Sequence, residues 1–157
     1  MLGILISQIG LIALAATWLL AWTRGGPAER FAANLVGVAW IGSMAVLALA
    51  PPEGRELVLL GFDFLLALGL LFIAIAYSSR WLGAAMLLQA LVLALHADMV
   101  TDMTHRARHF VVLLNMASFS MLFAIAGASS ATWIKRALAK RAQSAADITN
   151  AAGARPA

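Results

Sequence analysis

The chain has 157 residues, no cysteine, a formal net charge of +4, and 63% of its residues in the apolar class against 11% charged. A soluble domain carries roughly 45 to 50% apolar and about 25% charged residues, and a fold of this length has too much surface to cover with so few charges. Those figures exclude an ordinary soluble domain, a disordered chain and a disulfide scaffold, and they leave a small all-α integral membrane protein.

A helix needs about 20 apolar residues to cross the hydrocarbon core, so the charges partition the chain directly. Five spans are expected: Met1 to Thr23, Phe31 to Pro52, Leu57 to Ser79 interrupted only by Asp63, Trp81 to about Ala97 ending on His96, and Phe110 to Ile134. One helix from 57 to 97 would be roughly 60 Å long, about twice the hydrocarbon thickness, so the chain must reverse near Arg80. The first connection carries Gly25, Gly26 and Pro27, the second Pro51, Pro52 and Gly54. Residues 1–7 hold no Lys or Arg, which a cleaved signal peptide would need, so the first span reads as retained. A short interfacial helix is expected between spans four and five. Residues 1–134 thus form the membrane domain, and 135–157 a basic cytoplasmic tail whose Ala, Ser, Gly and Pro content predicts disorder.

Five spans place Arg24, Arg30, Arg80, Lys135, Arg136, Lys140, Arg141 and Arg155 on one side, and Arg55, Arg106 and Arg108 on the other. The positive-inside rule makes the first side cytoplasmic and the N-terminus external, and the simple topology suggests a bacterial inner membrane. Trp18, Trp22, Tyr77, Trp81 and Trp133 all fall at the cytoplasmic ends of their spans as an interfacial belt, leaving Trp40 mid-span. Lys135, Arg136, Lys140 and Arg141 read as a patch against anionic lipid, so the basic charge requires no nucleic acid partner.

Between spans four and five, Asp98, Asp102, His105 and His109 are spaced by 4, 3 and 4 residues, which aligns them on one helical face. With His96 they form a candidate metal set, because carboxylate and imidazole on adjacent turns suit a divalent ion. The alternative is an Asp102–Arg106 pair with histidines in interfacial water, worth about 0.2 to 0.5 kcal/mol and needing no function. The polar run from His96 resembles in outline the haem-anchoring subunits of respiratory dehydrogenases. The surrounding motifs of that family are missing and the span count differs, so no residue is carried over.

Asp63 is the sharper signal. It lies about 9 Å into the third span, where a carboxylate is costly unless it faces protein or water. The reversal at Arg80 makes spans three and four neighbours and brings His96 to nearly the same depth, so an Asp63–His96 contact is plausible, either as a protonatable site or as a lock on helix register. Gln8, Asn34, Gln89 and Asn115 are the remaining intramembrane amides, expected as interhelical hydrogen-bond partners, with Gln8 and Asn115 near enough in depth to join Asp63. In the fifth span Ala117, Ser120, Ala124, Gly127 and Ala131 form a small-residue stripe that would admit another helix closely, and no two glycines are four apart.

No nucleotide, nucleophile or metal signature is present, which favours a non-catalytic accessory or scaffolding subunit of a larger membrane complex or homo-oligomer in the bilayer. The alternatives are a small ion or proton conductor using Asp63 and His96, and a haem or metal protein using the histidines and aspartates on the external side. The sequence identifies no cofactor.

Overall fold

A computed structural model describes residues 2–51, 54–101 and 107–153, with side chains over 8–51, 54–98 and 112–147. The described residues form five helices: α1 Leu2–Arg24, α2 Pro27–Leu49, α3 Arg55–Tyr77, α4 Arg80–Thr101 and α5 Ala107–Gly153. Among them, four stretches are long and apolar enough to cross a membrane: Pro27–Leu49, Arg55–Tyr77, Arg80–Asp98 within α4, and Val112–Asp147 within α5. The chain is therefore an all-helical integral membrane protein in contact with the bilayer.

The connections follow from local chemistry. Only Gly25 and Gly26 separate α1 from α2, and Pro27 then starts α2 in its first turn, where its missing N–H costs no helical bond. Ala50 is extended ahead of the Pro51-Pro52 pair, and α3 begins after Gly54, whose φ of 81° suits glycine. Arg55 donates from Nη2 to the Ala50 carbonyl at 2.8 Å, closing that turn. Between α3 and α4 the reversal expected near Arg80 takes place at Ser78 and Ser79, with Ser78 left-handed at φ 47°.

Short connections make successive helices antiparallel neighbours. α1 packs on α2, α2 on α3, α3 on α4 and α4 on α5, while α5 returns to pack on α1 and the ring closes. A further contact between α2 and α5 crosses it, dividing the ring into a three-helix side (α1, α2, α5) and a four-helix side (α2, α3, α4, α5). The buried positions recur at spacings of 3 and 4: Leu66, Leu70 and Ile73 on α3; Leu82, Ala85, Gln89, Val92 and His96 on α4; Ala117, Met121, Ile125 and Ser129 on α5. Phe72, Ile75, Leu87 and Phe123 are each more than 70% exposed and form part of an apolar exterior suited to acyl chains.

Glycines set how closely α2 approaches its neighbours. Trp40 lies over Gly10 of α1, the Phe62 ring lies on Gly42, and Leu35 fills the space above Gly69. The α5 stripe contributes less than its spacing suggests. Ala117 is buried and Ala124 half-buried, but Ser120, Gly127 and Ala131 are exposed, because α5 turns the 117, 121, 125 and 129 row inward instead.

One expectation meets a different structure, and another falls outside the described residues. The tail expected to be disordered continues α5 as helix through Gly153, and its residues are exposed over 139–147. The reason is composition: from Ala128 to Ala152 there is no Gly or Pro, and Ala, Lys, Arg and Gln are strong helix formers. The interfacial helix expected between spans four and five falls where α4 ends at Thr101 and α5 starts at Ala107; residues 102–106 lie outside the described residues.

The glycine contacts carry a prediction. A Cβ on Gly42 would sit 2.5 Å from the Phe62 ring, so Gly42→Ala should cost about 1 to 3 kcal/mol through overpacking. Gly61 and Gly83 have open space around them, and alanine there should be neutral or gain up to about 1 kcal/mol from helix propensity. Unfolding midpoints of the three variants in one detergent provide the comparison.

Candidate functional site

On the four-helix side, the inward stripe of α4 carries two polar residues two turns apart, Gln89 and His96, and both reach Asp63 on α3. His96 Nδ1 lies 2.6 Å from Asp63 Oδ2, with the two side chains 8% and 17% exposed. Gln89 Nε2 donates to the Asp63 carbonyl at 3.0 Å and, at 3.5 Å, approaches its carboxylate Oδ1. The carbonyl bond matters because that oxygen belongs to the α3 backbone ladder; a second donor there fixes α4 against α3 at one register. Gln89 itself is only 2% exposed. Burial of a carboxylate among apolar helices is expensive, and the Gln89 amide and the adjacent His96 ring are the polar groups that meet it, although His96 Nδ1 makes no aligned hydrogen bond.

Beside this trio lies a partly open cavity of about 50 Å³, bordered by α2, α3, α4 and α5. Asp63, Gln89, Ser43 and Ser118 supply its polar wall, with Trp40, Leu66, Val92 and Met121 among its apolar residues. The cavity is a product of topology: four helices around a common centre leave a gap that three do not. One to two helical turns beyond its lining, towards the α1–α2 end, Leu70, Leu82 and Ile125 are fully buried.

The other intramembrane amides divide. Asn34 joins α1 to α2, its Oδ1 accepting from Trp18 Nε1 at 2.7 Å and from Trp22 Nε1 at 3.2 Å. Gln8 is exposed on α1, a helix that packs on neither α3 nor α4, so it does not join Asp63. Asn115 is half-buried on α5 and makes no hydrogen bond to Asp63. Asp98 is exposed at the end of α4. Asp102 and His105, and the side chain of His109, lie outside the described residues. Among the described residues no three His, Asp or Glu side chains converge on a metal-sized site. The cavity is also far below the roughly 300 to 1,000 Å³ of sites that hold drug-sized or larger ligands, which leaves no room for haem there.

A second polar cluster was not legible as a site in the sequence. Glu29, only 6% exposed, sits at the third position of α2. Its Oε2 accepts the Gly26 N–H at 2.8 Å and its Oε1 accepts from Thr132 Oγ1 of α5 at 3.2 Å. Arg136 donates from Nη1 to the Gly25 carbonyl at 3.3 Å, and Arg24 lies over the Trp133 ring at 4.1 Å. The Gly-Gly-Pro-x-Glu order around a helix start was the available signal, since glutamate three residues after a cap reaches back to its N–H. Nothing in the sequence alone brings Thr132 to it. The basic run divides accordingly: Arg136 is bound to the α1–α2 turn, whereas Lys135, Lys140 and Arg141 are exposed.

No protein-family model, curated protein or solved structure matches this chain.

The Asp63 trio predicts an asymmetry between variants. His96→Leu strands a buried carboxylate and should cost about 3 to 5 kcal/mol, whereas Asp63→Asn removes the charge and should cost less. The double variant should be more stable than the sum of the two losses predicts, by a coupling of about 0.5 to 3 kcal/mol. Denaturant unfolding in mixed micelles measures all three; strict additivity would show the two side chains to be independent.

Proposed function

We propose that this protein is a five-span, non-catalytic accessory or scaffolding subunit of a bacterial inner-membrane complex, with its N-terminus outside and its C-terminus in the cytoplasm. One observation carries this reading. α5 is 47 residues long, about 70 Å, and its last part leaves the bundle with its side chains exposed over 139–147. Most helices in proteins gain their stability from a packed face rather than from propensity alone. A helix that projects from the membrane without such a face is suited to docking on another subunit. α1 supplies the fifth span in this reading: it is 23 residues long and packs alongside α2 and α5. The exposed part of the α5 stripe, Ser120, Gly127 and Ala131, offers a second contact for a neighbouring span.

Deletion of residues 137–157 tests the reading. Tagged full-length chain purified from its native membrane in mild detergent should carry a larger partner at fixed stoichiometry. The truncated chain, at equal abundance, should lose that partner by about tenfold or more, corresponding to at least 1.4 kcal/mol of binding. A full-length chain that purifies alone overturns the proposal.

The contact between Asp63 and His96 favours a second reading, a proton or ion conductor, since ionisable residues inside a span mark pathways by default. Leu70, Leu82 and Ile125 stand between that pair and the Glu29 cluster, so a single chain holds half a route and conduction would need a pore shared between copies. In this reading reconstituted chain shows a flux that disappears in Asp63→Asn. A flux unchanged by that substitution, or no flux at all, removes the conductor from consideration.

A further inference from the structure

We infer that the cavity beside Asp63 is a binding site for one small monovalent cation of the alkali or ammonium class. The inference stands on the cavity's own chemistry and does not depend on the accessory role.

The first ground is charge. Among the described residues, His96 is the only basic side chain within ion-pair distance of Asp63. Despite that approach His96 Nδ1 makes no aligned hydrogen bond, and a carboxylate charge left incompletely compensated among apolar helices is costly. A cation against the free edge of that carboxylate removes the imbalance.

The second ground is the set of donors. Asp63 commits Oδ2 to His96, while Oδ1 receives only a long 3.5 Å approach from Gln89 Nε2. Gln89 spends its amide N–H on Asp63, which leaves its Oε1 as an acceptor on a side chain that is 98% buried at the cavity wall. Ser43 donates its hydroxyl hydrogen to the Ala39 carbonyl at 2.8 Å, so its oxygen is left as an acceptor. Ser118, unlike Ser129 and Ser130 on the same helix, makes no hydrogen bond to the preceding turn. One carboxylate and three neutral oxygens form a hard, oxygen-only set. Its single negative charge matches a monovalent ion, and magnesium would demand a stricter octahedron and several retained waters.

The third ground is size. A cavity of about 50 Å³ has space for a few water-sized groups, hence for a small cation with one or two waters, and suits such an ion better than a bulky organic one.

The test uses full-length protein in mild detergent, unfolded thermally in chlorides of sodium, potassium, ammonium or N-methylglucammonium at equal ionic strength. At least one of the three small cations should raise the midpoint by a few degrees, saturably, relative to the bulky one. The shift should vanish in Asp63→Asn and shrink in Ser118→Ala, where the apparent affinity should fall several-fold. If Asp63→Asn does not fold, Ser118→Ala and Ser43→Ala decide the matter, because each removes one neutral oxygen and leaves the carboxylate in place. Equal midpoints in all four salts overturn the inference and assign the whole counter-charge to His96. A cation-dependent shift undiminished in the serine variants and, where it folds, in Asp63→Asn overturns it as well, by placing the ion elsewhere.

Discussion

Helices in a bilayer have to associate without the force that assembles soluble cores, because lipid tails are as apolar as the side chains they would replace. This constraint explains the two kinds of contact that hold the ring together. One is close approach over small residues, with Trp40 on Gly10, Phe62 on Gly42 and Leu35 on Gly69, all of them made by α2. The other is the polar crosslink, in which Asn34 ties α1 to α2, Gln89 and His96 tie α4 to α3, and Glu29 ties α2 to α5. α2 takes part in every glycine contact and in two of these three crosslinks, and it is also the helix that divides the ring. The four-helix side, and therefore the cavity, exists because α2 and α5 meet across the middle.

The two ends of the bundle treat buried acids differently. Glu29 is held by a backbone N–H and a hydroxyl, beside an arginine that bonds the adjacent turn. Its carboxylate is part of a helix start. Asp63 is held by an imidazole and an amide and borders a cavity. The first arrangement ties the α1–α2 turn to α5 near the point where that helix leaves the bundle. The second leaves one carboxylate edge available, which is what separates a candidate site from a structural crosslink. Between them the fully buried Leu70, Leu82 and Ile125 provide an apolar seal.

Much of this was readable in advance, and the misses have physical causes. Long apolar runs bounded by charge, proline and glycine announce helices that cross a membrane, since the cost of leaving backbone groups unsatisfied in lipid permits few other structures. The reversal before Arg80 follows from length alone, and a short turn forces antiparallel neighbours, which is why Asp63 and His96 read as partners in sequence. Gln89 reads from the sequence as an interhelical hydrogen-bond partner, which it is; that it shares the inward row with His96 depends on the rotation of α4, which its weak amphipathicity does not reveal. Gln8 and Asn115 were placed by depth, but depth ignores azimuth, and α1 lies away from α3 and α4. The α5 stripe misled for the same reason, since spacing of small residues says which residues share a face and not which face the bundle uses. The tail helix is legible only residue by residue, because the helix breakers stand at 153 and 156 while the segment before them is rich in alanine, lysine and arginine.

The continuity of α5 has a mechanical meaning. From Ala128 to Ala152 no glycine or proline offers a hinge, so the part inside the bundle and the part beyond it behave as one rod. Glu29, Thr132, Arg136 and the Gly25 carbonyl lie near the point where the rod emerges and act as its fulcrum. Beyond that point about 17 residues extend roughly 25 Å, so a tilt of about 10° within the membrane would carry the tip sideways by about 4 Å. A small tilt of the 128–136 segment would therefore appear at the far end of α5 as lateral displacement, amplified by the length of the arm.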